Sequence, residues 1–265
     1  MLFAPTPRRR ASPLAAAGGV LALALITGCS SRCADSRPAG AEPQGPWTDP
    51  RTGVEWVPVA DSHALSRTEI TVGQYRACVE ADACSSEKIS GVEWKEKAWS
   101  VSEKCNWGRD GYDAHPMNCV DWHDADAYCR WAGGRLVTKA EWRAEASDSG
   151  RRIFPWGAEE PTCEYAVMND WMTHGGSFRQ GCGEQGTWPV CSKPMGHSVH
   201  GLCDMAGNVW EWTDTKEFPG PETEPRYNLG GSYAQTPPYL EAEYTLVNPT
   251  RFRIDYTGLR CRMAL

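Results

Sequence analysis

The chain has 265 residues, with 34 acidic and 27 basic side chains and a net charge of −7; no basic stripe offsets that charge, which excludes a nucleic-acid partner. A hydrophobic content of 41% with a mean hydropathy of -0.53 fits a soluble, loop-rich body. Its length suits one domain with a real core, or at most two small ones.

At the N-terminus, Arg8 to Arg10 followed by an apolar run from Leu14 to Ile26 reads as a secretory signal peptide over residues 1–28. The run ends in "LITGCSS", and small residues directly before Cys29 resemble the lipobox of bacterial lipoproteins. Cys29 is then expected to be the acylated first residue of the mature chain, and several acyl chains would anchor it firmly to a membrane. The other reading of this run is a transmembrane anchor, for which it is short. Localisation follows from the lipoprotein reading: a bacterial cell envelope, lipid-anchored, on a periplasmic or outer-membrane face. Residues 29–46, rich in Ser, Ala, Pro and Gly without apolar periodicity, describe a disordered tether, so the folded domain is expected over 47–265.

Of the 12 cysteines, Cys29 and Cys33 fall in the leader and tether. The even remainder, scattered through an exported domain, reads as disulfides, and the absence of CxxC spacing weighs against a metal-thiolate site. Three helices announce themselves by their caps. In "ITVGQYRACVEADAC", Thr71 and Gln74 form a capping box, Ile70 and Tyr75 a hydrophobic staple, and Tyr75, Cys78 and Val79 an inward face. Cys84 lies just past that helix, within reach of Cys78. Asp121 caps a second helix whose inward face is Ala125, Tyr128, Cys129 and Ala132, stopped by Gly133 and Gly134. Thr138 and Glu141 cap a third, stapled by Val137 and Trp142.

Beyond Ser147 the pattern changes to short strands between Gly, Pro and Asn turns: "RIFPWG", "GTWPVCS", "NVWEWTD", "YNLGGSY" and "TGLRCRMAL". In the last, Leu259, Cys261, Met263 and Leu265 alternate with Arg260 and Arg262. No long-period repeat is present. The expected class is α+β, helices early and strands late, with most of the 13 tryptophans filling the core.

Five segments, "MNCVDWHDADAYCRWAGGRLVTKAEWRAEA", "FPWG", "GLCDMAGNVWEWTD", "NLGGSY" and "GLRCRM", resemble in order and spacing the sulfatase-modifying factor domain of formylglycine-generating enzymes. The resemblance implies a single irregular domain with a C-type-lectin-like fold, stabilised by disulfides and calcium. It maps one calcium site onto Asp204, Gly207, Val209 and Glu211, the middle two through their carbonyls, an arrangement that suits a hard cation. Without the resemblance, Asp204 reads as a turn residue and Glu211 as a solvated strand residue. A second calcium would involve Asn169, beside Asp170, where the alignment is not clean. The resemblance also implies a bridge between Cys129 and Cys261. Cys78 with Cys84 is expected from proximity, and Cys105 with Cys119, Cys163 with Cys182, and Cys191 with Cys203 are paired with no motif behind them.

The family's oxidase reaction uses one copper ion held by two thiolates, and soft thiolates select Cu(I). At the two matching positions this chain has Gln235 and Leu240, and no cysteine lies between Cys203 and Cys261. Copper at that site is therefore not expected and no catalytic residue is assigned. Pro237 and Pro238 indicate a remodelled loop. Trp210, Ser232, Tyr233, Gln235 and Tyr256 remain as a candidate pocket, unless they merely pack. Met195, His197, His200 and Cys203 could in principle hold copper elsewhere, although histidines three apart in a turn-rich segment are more often surface residues. The related ergothioneine-pathway sulfoxide synthases carry their iron histidines on a separate helical domain, for which this chain is expected to have no room.

The functional reading is thus an extracytoplasmic lipoprotein whose domain binds a peptide, glycan or protein ligand without the family's catalysis. The alternatives are a metal-dependent oxidoreductase of the same family with a different centre, a purely structural envelope protein, and last a true formylglycine-generating oxidase.

Overall fold

Strands precede the first helix, and this reorders the expected chain plan. The computed structural model describes residues 45–95, 98–170, 179–221 and 223–265, of which 93–95 and 98–99 are described by backbone alone. The expected leader, Cys29 and all but the last two residues of the tether lie outside the described residues. Among the described residues no helix is long and apolar enough to cross a membrane.

In chain order the elements are β1 (Trp47–Thr48), β2 (Glu55–Ala60), β3 (His63–Ser66), α1 (Val72–Glu80), β4 (Val92–Lys95), β5 (Ala98–Val101), α2 (Trp122–Trp131), β6 (Arg135–Leu136), α3 (Lys139–Ala146), β7 (Trp210–Lys216), β8 (Arg226–Leu229), β9 (Leu246–Asn248), β10 (Thr257–Leu259) and β11 (Cys261–Ala264). One sheet has the order β1-β2-β3-β11-β6, another β10-β7-β8-β9, and β4-β5 is a hairpin. The architecture is α+β, one disulfide-stabilised domain with few helices, small sheets and many loops. It differs from the expected helices-then-strands order because β3 pairs antiparallel with β11, so the chain's two described ends share one sheet. Short strands next to Pro58 carry little alternation, which is why β2 and β3 escape a reading by periodicity; the ladder shifts register between Pro58 and Ala60.

The three helices form as their caps dictate. Thr71, Asp121 and Thr138 each accept from the backbone N–H three residues on, and Gln74, Asp124 and Glu141 each answer the cap's own N–H. Gly133 takes φ 89°, a left-handed conformation that stops α2 without a Cβ penalty.

Two late segments are not strands. "RIFPWG" makes only an isolated bridge between Phe154 and Gly157, and "GTWPVCS" is turn, since prolines remove ladder donors in both. "TGLRCRMAL" is two strands in two sheets, broken at Arg260. Arg260 therefore does not alternate to solvent with Arg262; it turns into the core, where it is fully buried.

The main core gathers Trp56, Tyr75, Tyr128, Trp212 and Leu259 around the first two helices, and a second cluster packs Leu65, Trp142, Met205 and Leu229 under α3. Trp56, Trp122, Trp142, Trp210 and Trp212 are buried, in keeping with tryptophan as core filler. All five expected disulfides are present: Cys78–Cys84, Cys105–Cys119, Cys129–Cys261, Cys163–Cys182 and Cys191–Cys203. Each contributes about 2–4 kcal/mol in a body of sparse regular structure.

Candidate functional site

The segments of the expected pocket do converge, but they pack. Trp210, at the start of β7, is 1% exposed, Ser232 is 0% and Tyr233 is 1%. Gln235 stands where the resemblance places the first thiolate. Its Oε1 accepts from Trp210 Nε1 at 3.2 Å and from the Ser232 hydroxyl, while its backbone carbonyl accepts from Asn169 N–H at 2.8 Å. Leu240, at the second position, ends a short 3-10 turn over Pro237–Leu240 and lies in a core cluster with Phe154, Ala166, Met168 and Ala206. Tyr256 gives its carbonyl to Trp210 N–H at 2.8 Å, and its partly buried phenol is pushed up to about 12, first by desolvation and then by Asp255. These residues form a closed polar floor.

An open cleft of about 910 Å³ lies beside that floor, lined by Lys104, Arg109, His115, Gln180, Glu184 and Trp188 among others. Lys104 joins the two: its ammonium donates to Gln180 Oε1 at 3.0 Å and sits 5.7 Å from the centre of the Tyr233 ring. Arg109 stacks 3.8 Å over Tyr112, whose ring lies 4.1 Å from that of His115. His115 Nδ1 pairs with Thr187 Oγ1 at 2.9 Å, and burial, then Arg109, lower its pKa, so it presents a neutral imidazole at pH 7. Cations, acids, amides and aromatic edges together suit an extended polar ligand. None of the cleft residues was singled out in the sequence. The available signal was the loop that Cys105–Cys119 closes, which brings Arg109, Tyr112 and His115 to one rim.

The turn before β7 carries the expected calcium ligands. Asp204, Gly207 and Asn208 all take left-handed φ, at 53°, 88° and 56°. A Cβ on Gly207 would lie 2.6 Å from the Val167 carbonyl oxygen, so the close approach requires glycine. Glu69, also buried, holds the turn by accepting from Asn208 Nδ2 at 2.7 Å and from Val209 N–H at 2.9 Å. Glu211 is the counter-ion of Arg260. Its Oε1 accepts from Arg260 Nη2 at 2.8 Å, and its Oε2 from Arg260 Nε at 3.0 Å and Trp142 Nε1 at 2.6 Å. It is thus neither a solvated strand residue nor an open ligand.

The donor set suits a hard cation in part. Asp204 Oδ2 accepts from Cys191 N–H at 2.6 Å, whereas Asp204 Oδ1 and the buried carbonyls of Gly207 and Val209 receive no hydrogen bond from the described residues. Three buried carboxylates, Glu69, Asp204 and Glu211, face one guanidinium. Burial, aided by that mutual repulsion, raises Glu69 well above its ordinary range, and burial pushes Asp204 to about 6. A divalent cation would neutralise the excess, with Glu211 shared between it and Arg260. Asn169, the expected residue of a second calcium site, lies at the edge of the floor. Its Oδ1 accepts from Arg179 N–H at 2.9 Å, and it ties that segment to the floor.

Of Met195, His197, His200 and Cys203, only His197 and Cys203 come together; the four do not converge as one set. Met195 is 53% exposed, His200 Nδ1 pairs with Glu145 Oε2 at 2.7 Å, and Cys203 is bridged to Cys191.

A model of the sulfatase-modifying factor enzyme 1-like domain matches residues 35–265. The chain belongs to the sulfatase-modifying factor family. Within it, the chain is 39% identical to the formylglycine-generating enzyme of Mycobacterium tuberculosis (strain ATCC 25618 / H37Rv) over 188 residues, 64% of this chain and 62% of that one. It is 27% identical to hercynine oxygenase of the same organism over 233 residues, 74% of this chain and 51% of that one. The chain thus spans about half to three-fifths of the length of these relatives. Among solved structures, PvdO from Pseudomonas aeruginosa superposes with a TM-score of 0.65 at 19% identity, covering 85% of this chain and 100% of that chain, a likeness of fold alone.

Proposed function

We propose that this sulfatase-modifying factor domain has exchanged the family's copper oxidase chemistry for ligand binding. The observation that carries the reading is the use of the two thiolate positions. Leu240 is core, Gln235 is the acceptor that closes the floor, and every cysteine among the described residues is bridged. With no thiolate there, a Cu(I) site has no soft donors. The binding surface is the cleft beside the floor, and its ligand an extended polar one, peptide or glycan, borne by a protein or free. Calcium held by Asp204, Gly207 and Val209, with Glu211 shared, would fix the turn that carries β7. In the same reading the chain is a lipoprotein acylated at Cys29 on the bacterial cell envelope.

Three measurements test this. Purified protein given a cysteine-containing sulfatase peptide and Cu(I) should consume no oxygen, and turnover would falsify the central claim. A peptide and glycan array should yield binders whose affinity falls at least tenfold in Arg109→Ala or Trp188→Ala; affinity unchanged in both variants would move the ligand elsewhere. Palmitate labelling should be lost in Cys29→Ser.

A further inference from the structure

Between the cleft and the β7 turn, one more group of ligand atoms comes together. The sulfurs of Cys191 and Cys203 and a ring nitrogen of His197 all lie within 4.8 Å of one another. The two cysteines are twelve positions apart, so no short spacing marks them; the loop through the 3-10 turn Pro194–Gly196 brings His197 back to their bridge. His197 Nε2 is buried and has no hydrogen-bond partner among the described residues. A buried ring nitrogen without a protein partner leaves a lone pair available to a ligand once the sulfurs separate.

We propose that the Cys191–Cys203 disulfide is the closed form of a redox-gated site for a thiophilic cation such as Zn²⁺, completed by His197. Two thiolates and one imidazole are three of the four ligands of a tetrahedral site, leaving one position open. Tetrahedral bond lengths of about 2.0–2.3 Å put ligand atoms roughly 3.5 Å apart, so His197 already stands near its place and only the sulfurs must separate.

The opening step balances with a dithiol reductant. One thiolate of the dithiol attacks the Cys191 sulfur, because Cys191 is partly exposed while Cys203 is buried. Cys203 leaves as the thiolate, the dithiol's second thiol resolves the mixed disulfide, and the reductant departs oxidised. Two electrons and two protons reach the cysteines, and both protons are released when the cation binds. Trp188 and Pro189, which line the cleft, immediately precede this loop, so the exchange would occur at the cleft wall.

The test uses the full chain, treated with a limiting dithiol and then with Co²⁺ as the spectroscopic probe. Alkylation and peptide mass mapping identify the preparations in which this pair is open. Reduced wild type should then bind one Co²⁺ per chain with thiolate charge-transfer absorption, and the oxidised form none. Cys191→Ser with Cys203→Ser should abolish the signal, and equal binding by that variant would overturn the site. Should the double variant not fold, His197→Gln keeps the resting disulfide: its oxidised melting temperature should match wild type, while Co²⁺ affinity after reduction falls at least tenfold. Unchanged affinity there, no cobalt on reduced wild type, or unfolding on reduction of this bridge would each refute the proposal. None of these outcomes bears on the oxygen-uptake test of the binding reading.

Discussion

Arg260 and Glu211 face each other at 2.8 Å with side chains 0% and 1% exposed. All five N–H groups of the guanidinium are used, on Glu211 and on the carbonyls of Ser66, Arg67 and Cys203. The residue sits between β10 and β11, so this one side chain ties β7, the end of β3 and the Cys203 loop. Such a pair is costly to break from one side, because the remaining charge stays buried. Arg260→Met should lower unfolding free energy by about 3–5 kcal/mol in urea titrations with the disulfides intact and chelator present. Arg260→Met with Glu211→Leu should cost less than the single change. A single variant within 1 kcal/mol of wild type by order of magnitude would show that water reaches the pair.

The turn before β7 gives a second prediction. A ligand bound only by the folded state stabilises by about 2.7 kcal/mol at a hundred times its Kd. Ca²⁺ should therefore raise the melting temperature of chelator-stripped protein in a dose-dependent way. Mg²⁺ should do less, since it tolerates irregular oxygen geometry poorly. Asp204→Ala should lose the Ca²⁺ response. A melting curve indifferent to Ca²⁺ and chelator would leave the turn without its cation.

The helices were legible because a capping box is local: Thr71 with Gln74 and Thr138 with Glu141 fix a boundary from three residues of spacing. The disulfides were legible in part for the same reason, as Cys84 follows directly on the helix bearing Cys78. Arg260 shows where locality ends. In "GLRCRM" it alternates with apolar neighbours as a surface arginine would, and only the partner Glu211, 49 positions away, draws it inward. The floor was legible as a set of residues but not as a closed surface, since packing of Trp210 against Gln235 is a tertiary fact. The cleft was illegible because its rim joins segments around Lys104, His115 and Trp188 that no periodicity links.

Glu141 sets a pH response. Burial would raise its pKa, but hydrogen bonds from Arg135, at 2.6 and 2.9 Å, and from Thr138 outweigh it and hold the group at about 2. Arg262 adds a contact at 3.3 Å. A folded pKa below the unfolded value of 4.5 means stability that is present above pH 4.5 and lost as pH falls towards 2. Glu141→Gln keeps the N3 side chain that caps Thr138 while removing the charge. The variant should be less stable than wild type at pH 6, and the two unfolding curves should converge as pH approaches 2. Parallel curves over that range would assign the acid response to other carboxylates.

Gln235 and Leu240 give the last prediction, which separates a packed floor from a working one. If Leu240 is core, Leu240→Ala leaves a cavity against Phe154, Met168 and Ala206 and should cost about 2–5 kcal/mol. If Gln235 closes the floor, Gln235→Leu strands Trp210 Nε1 and the Ser232 hydroxyl without their acceptor, at a cost of about 1–3 kcal/mol. Both should appear as shifts in the urea midpoint with no change in slope. Residues retained for chemistry behave otherwise: their removal commonly leaves stability unchanged or improved, because active sites trade stability for function. A stabilised Gln235→Leu would therefore place Gln235 in a working site and return the floor to the search for a reaction.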